Sequence, residues 1–113
     1  MLPGVVPRLV DLLGSQEVSV LTPTLRTLGN IVTGDDTQTQ TVLDAGLLRA
    51  FPYLLQHPKS SLQKEGAWTL SNITAGNRSQ IQAVIESGLV PYLVQLMHNV
   101  SFLSKFLLPL CIT

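Results

Sequence analysis

A shift of 42 residues lays this sequence on itself. Gly4 falls on Gly46 and Gly46 on Gly88, and the text from each glycine reads GVVPRLVDLL, GLLRAFPYLL and GLVPYLVQLM. Leu12-Leu13 overlies Leu54-Leu55, and Leu28-Gly29-Asn30-Ile31 overlies Leu70-Ser71-Asn72-Ile73. Gly34 overlies Gly76, and the Gln38/Gln40 pair overlies Gln80/Gln82. Agreement at one offset across glycines, apolar positions and an asparagine marks a repeated structural unit. Such a unit cannot bury its own apolar face and depends on neighbours stacked against it. Composition agrees, with 45% hydrophobic and only 12% charged residues.

Each unit reads as three helices. In the second unit, Gly46 to Gln56 is short and apolar on most sides, and His57-Pro58-Lys59 breaks it, because proline disfavours helix for the residue before it. A longer helix is expected from about Ser60 to Ala75, with Leu62, Ala67, Leu70, Ile73 and Thr74 near helical spacing, Ser60 or Ser61 as cap and Gly76 as stop. Ser79 to Ser87 reads as a short helix closed by Gly88. Nothing shows sustained period-two alternation, so sheet is disfavoured. Three helices in this length match the armadillo period rather than the shorter two-helix repeats. The expected fold is all-α, an armadillo-repeat right-handed superhelical solenoid. Residues 1–100 carry units 4–45 and 46–87 and a partial third, 88–100, and 101–113 form a divergent apolar tail. The competing fold is a helical bundle with accidental self-similarity. Since a solenoid generally needs at least ~3 stacked repeats and polar caps, marginal stability, self-association or reliance on a partner is expected.

Charge and cysteine content narrow the function. Seven basic and seven acidic residues cancel, which argues against a non-specific hold on nucleic acid or an anionic membrane. No apolar run approaches the ~18 residues of a membrane span. The single Cys111 excludes an intrachain disulfide and a cysteine-based zinc site. The start, MLPGVVPRLV, lacks the basic segment of a secretory signal, so the sequons at Asn72, Asn77 and Asn99 read as chance matches. His57 and His98 follow the second helices in no ligand-like array, and no Ser-His-Asp or phosphate-loop pattern occurs. Neither enzyme, metal nor cofactor is therefore expected.

The third helix of the second unit carries the chemistry. Glu65, Trp68 and Asn72 lie at i, i+3 and i+7 and project from one face. An asparagine side chain pairs with both N–H and C=O of an extended backbone. An indole attracts an ammonium or guanidinium and packs its aliphatic stem, and a nearby carboxylate neutralises the head. Together these suit a peptide containing Lys or Arg. On spacing alone, a core Trp68 with Asn72 capping a carbonyl explains the pattern equally well. The repeat shifts the balance, because Asn30 holds the equivalent place in the first unit and the two asparagines would form a ladder along stacked helices. Arg26 stands where the second unit has Trp68, placing a like charge where a basic ligand side chain would otherwise sit.

At these residues a family resemblance becomes specific. GNIVTGDDTQTQ (Gly29 to Gln40) and QKEGAWTLSNITAGN (Gln63 to Asn77) are similar to armadillo repeats of importin-α, nearest the fifth to the start of the seventh. The similarity runs from Gly4 to about Met97. It implies a nuclear import adaptor, cytoplasmic and nuclear, whose third helices line a groove for extended Lys/Arg-rich nuclear-localisation-signal peptides, here in the region of the smaller of two cargo sites. Carried over residue by residue, it makes Trp68 a slot wall, Asn72 and Asn30 backbone clamps, Glu65 a carboxylate for a basic side chain and Ser71 a pocket residue. Val32, Thr33 and Gly34 end the first unit's third helix, whose negative end favours an ammonium, with Thr39 close by. The segment through which that family meets importin-β is not expected within this sequence.

The sequence also departs from that family. Gly66 replaces the usual alanine, which weakens the helix by ~1 kcal/mol. In the tail Leu107 and Leu110 take the places of the next carboxylate and indole, so a third groove face is expected to be lost, with VSFLSKFLLPLCIT from an alternative or truncated product. That tail is expected to fold back over Val90, Leu93 and Leu96. The alternative function is an armadillo structural or protein-interaction fragment with little or no cargo binding.

Overall fold

A computed structural model describes residues 4–97 of the chain. Expectations for His98, Asn99, Leu107, Leu110, Cys111 and the fold-back of the tail lie outside the described residues. Within them all regular structure is helical: α1 (Val5–Leu12), α2 (Val18–Ile31), α3 (Asp36–Asp44), a 3-10 turn (Leu47–Ala50) running into α4 (Phe51–Leu55), α5 (Ser60–Thr74), α6 (Arg78–Glu86) and α7 (Val90–Met97). The sequence offset carries α1 onto the turn and α4, α2 onto α5 and α3 onto α6, so the repeat in the text is a repeat in space. The all-α armadillo expectation holds.

Local chemistry explains the element boundaries. Gly46 takes the left-handed conformation, φ 93°, which turns the chain out of α3 at no steric cost. The apolar stretch after it is expected as one helix, but it splits. Pro52 has no N–H to give the carbonyl of Leu48, and that carbonyl accepts from the N–H of Phe51 instead, tightening the first turn to 3-10. The expected caps Ser60 and Ser61 are not used. The N-cap of α5 is Lys59, without a side-chain bond, because the turn is held from His57. The Nδ1 of His57 accepts from the Lys59 N–H at 3.0 Å, and its carbonyl accepts from Gln63 Nε2 at 2.7 Å.

Helices α3 and α6 open on capping boxes. Asp35 accepts from the Gln38 N–H at 2.8 Å and Asn77 from the Gln80 N–H at 2.9 Å, while each glutamine side chain accepts from the N–H of its cap residue. Asn77 as cap explains why α6 begins at Arg78 rather than at the expected Ser79. Gln80 does more. It is buried, and its Nε2 donates to the carbonyl of Asp36 at 2.9 Å and to Gln40 Oε1 at 3.5 Å, tying α6 to α3.

The core runs as one row through both repeats. Leu21, Leu25 and Leu28 of α2 meet Leu62, Ala67, Leu70 and Ile73 of α5, with Phe51, Leu54 and Leu55 of α4 beneath. Helix α2 packs chiefly on α5. Helix α5 passes unbroken through the buried Gly66, where an added Cβ would lie 3.4 Å from Leu55 Cδ2 and 3.7 Å from Phe51, ordinary packing distances. Gly66→Ala is therefore expected to stabilise the chain by about 0.5–1 kcal/mol through helix propensity. Urea unfolding reads this, and a loss of stability would mean that the space is tighter than it looks.

Candidate functional site

Helices α2 and α5 lie side by side, and between them opens a depression of about 480 Å³ lined by Arg26, Asn30, Ser61, Lys64, Glu65 and Trp68. The offset places Arg26 and Trp68 at equivalent positions of the two helices. Trp68 is half-buried and Asn30 exposed. The wall is thus part indole and part charge, with an asparagine at its edge.

Glu65 is already engaged. The guanidinium of Arg26 donates to Glu65 Oε1 through Nε at 3.2 Å and also through Nη2. This hydrogen bond, reinforced by the carboxylate's charge, holds the pKa of Arg26 above its usual value. Arg26 is largely exposed, at 63%, and Glu65 is 16% exposed, so the carboxylate sits in the groove floor with the guanidinium over it. The sequence spacing read Arg26 only as a like charge. The signal for the pair was present, since Arg26 is equivalent to Trp68 and Glu65 precedes Trp68 by one helical turn on the same face.

A second depression of about 450 Å³ adjoins the first and is lined by Thr27, Asn30, Ile31, Thr33, Gly34 and Gln38. Asn30 belongs to both, so it stands where a ligand crossing from one to the other would pass. Thr33 and Gly34 are exposed here, beyond the C-terminal end of α2, where the helix dipole leaves partial negative charge although the Asn30 and Ile31 carbonyls accept from the N–H groups of Thr33 and Gly34. Val32 and Thr39 lie beneath: both are buried, and the Thr39 hydroxyl donates to the Val32 carbonyl at 3.3 Å. Their side chains thus pack in the protein, and Val32's carbonyl already has a donor.

Ser71 and Asn72 line neither depression. The Ser71 hydroxyl donates to the carbonyl of Trp68 at 2.6 Å. Asn72 is half-buried, and its Nδ2 is shut from solvent with no hydrogen-bond partner among the described residues. The structure therefore brings Trp68, Glu65 and Asn30 together, places Thr33 and Gly34 next to them, and sets Asn72 and Ser71 further along α5. Ser61, expected only as a cap, and Lys64, which the sequence did not single out, complete the first depression from the first turns of α5. No group of three or more His, Cys, Asp or Glu able to hold a metal occurs among the described residues, and no helix there is long and apolar enough to cross a membrane.

Residues 3–33 and 35–75 match the armadillo/beta-catenin-like repeat. The chain belongs to the armadillo-repeat family. Its armadillo region is 58% identical to importin subunit alpha-3 of Arabidopsis thaliana over 66 residues, 58% of this chain and 12% of that protein. It is 54% identical to importin subunit alpha-4 of the same plant over 100 residues, 88% of this chain and 19% of that protein. The resemblance to importin-α drawn from the GNIVTG and Trp-x-x-x-Asn runs accords with these relatives, of whose length the chain spans only those small shares. Among solved structures, it superposes on a designed armadillo repeat protein in complex with the peptide (KR)4, with a TM-score of 0.81, 34% identity, and coverage of 84% of this chain and 40% of that one. Computationally designed armadillo repeat proteins for modular peptide recognition superpose with a TM-score of 0.78 and 35% identity, over 81% of this chain and 39% of that one.

Proposed function

We propose that this armadillo chain is part of a nuclear import adaptor and holds an extended Lys/Arg-rich peptide, of the nuclear-localisation-signal kind, along the groove between α2 and α5. The carrying observation is the convergence of Trp68, Glu65 and Asn30 on one depression. In this reading Trp68 packs a Lys or Arg stem, Glu65 neutralises its head, and Asn30 and Asn72 pair with the peptide backbone. Thr33 and Gly34 bound a second position at the negative end of α2, over the buried pair Val32 and Thr39, and Ser71 lies behind Trp68. Such a chain works in cytoplasm and nucleus, with no cofactor and no chemistry of its own.

The test is a titration of the chain with fluorescein-labelled (KR)4 peptide followed by anisotropy. Binding is expected to weaken as salt rises, because screening reaches to about 10 Å at 0.1 M. Equal binding of a peptide with every Lys and Arg replaced by Ala would sink the reading.

The Arg26–Glu65 pair favours a second reading, in which the carboxylate serves only to join two repeats and the chain is a stacking element with little affinity for peptides. The two separate on one substitution. Arg26→Gln frees the Glu65 carboxylate and removes a repelling charge, so it is expected to raise the affinity for the (KR)4 peptide by a few-fold under the first reading. Under the second it leaves peptide binding undetectable. The same titration measures both.

A further inference from the structure

Gly29 of α2 stands against Trp68 and Thr69 of α5. A Cβ built there would lie 2.5 Å from Trp68 Cζ3, 3.0 Å from Trp68 Cε3 and 2.8 Å from Thr69 Oγ1. Real Cβ atoms do not tolerate such separations, and the indole is a stiff plate that cannot yield by a terminal rotation as a lysine or glutamine could. The ring of Trp68 therefore lies directly on the α-carbon of Gly29, on the neighbouring helix. By contrast, the buried glycine of α5, Gly66, has room for a methyl group. The residue that the repeat places opposite Gly29 is Ser71, which does carry a Cβ. The close approach thus belongs to the α2–α5 step and is not repeated by sequence in the next one.

We infer that Gly29 is the positioning residue of the groove: its missing side chain is the seat that sets the depth and tilt of the Trp68 indole, and so the width of the slot that takes a basic side chain. The inference rests on the peptide-holding reading for its functional meaning. The seating of the ring stands on geometry alone. A slot wall acts through its position, since a cation and its stem gain from the ring face only within contact range. A ring pushed outward by a methyl group closes the depression it shares with Glu65 and Asn30 and exposes more of its own edge. Gly29 is also buried, in the last turn of α2, where glycine is still disfavoured relative to alanine, so the helix gives up some local stability to keep this contact.

Trp68 is the single tryptophan, so its emission reports the ring directly. In the full chain, Gly29→Ala is expected to shift the emission to the red, to raise acrylamide quenching about twofold, and to lower affinity for labelled (KR)4 peptide about tenfold, the low end of what losing an aromatic anchor does. Gly66→Ala is expected to change neither readout. A Gly29→Ala chain that loses stability but keeps its emission, quenching and peptide affinity would overturn the inference, leaving Gly29 a packing residue. If Gly29→Ala does not fold, the pair Gly29→Ala with Trp68→Leu decides. With Thr69→Ala in every chain compared, so that Thr69 Oγ1 is no obstacle, recovery of the melting temperature of Trp68→Leu alone identifies the ring as the obstacle, and failure to recover removes the indole from the explanation. A parent chain that binds no (KR)4 peptide, with the emission shift still present on Gly29→Ala, supports the seat and sinks the peptide-holding reading by itself.

Discussion

Trp68→Ala is expected to weaken binding of a Lys/Arg peptide by about tenfold to a hundredfold, the equivalent of about 1–3 kcal/mol. The substitution removes the wall on which a basic stem packs and widens the depression toward Gly29. It leaves the carboxylate of Glu65 in place, so a residual, salt-sensitive affinity is expected to remain. Trp68→Phe keeps a ring face and is expected to lose less. Anisotropy titration at two salt concentrations measures this, with far-UV circular dichroism to establish that the helices persist. If Trp68→Ala folds and binds as the parent does, the indole belongs to the helix interface only, and the groove reading fails at its centre.

The second large effect is on stability. Phe51 is fully buried, the largest side chain to be so among the described residues, and its ring faces α5 at Gly66. Phe51→Ala is expected to cost about 3–5 kcal/mol, the usual penalty for emptying an aromatic site that cannot collapse. Small domains are held by about 5–15 kcal/mol in total, and a stack this short lies toward the low end. Urea denaturation at 25 °C is therefore expected to show a transition moved to much lower denaturant, or no folded baseline at all. A change below about 1 kcal/mol would mean that α4 is not where the stack is held together.

Much of the fold was legible because a repeat doubles every signal. Leu28 and Leu70, or Asn30 and Asn72, each support a reading that neither supports alone. Helix α5 was read to within one residue, since Gly76 follows directly after its cap residue and proline precedes its start. What the text hid were bonds that depend on a particular turn. The split at Pro52 follows from one missing N–H. The role of His57 as the acceptor holding the turn before α5 depends on a ring orientation that no spacing rule gives. Ser60 and Ser61 looked like caps by composition, yet they fall inside the first turn of the helix.

The candidate site was legible as a set of residues but not as a set of contacts. Glu65, Trp68 and Asn72 share a helix face by spacing, and Asn30 follows by the offset. The offset and the spacing put Arg26 and Glu65 on facing helices, but that they touch depends on how closely α2 and α5 approach, which neither gives. Burial of Val32 and Thr39 was likewise out of reach, since Val32 caps the end of α2, where a change in direction decides which way a side chain points, and Thr39 of α3 packs against it.

The bonds of Gln80 bear on how a chain of this kind grows. A glutamine that caps its own helix and also grips the carbonyl at the start of the equivalent helix one repeat earlier works only if the two lie a whole unit apart. Inserting one residue into the intervening helices turns everything after it by about 100°, and the amide swings away from its carbonyl. Copying a full 42-residue length does no such damage, because the copy brings its own amide and presents a fresh carbonyl to the next. Such a sequence lengthens by whole modules and rejects the steps between, as a zipper accepts another tooth but not half of one.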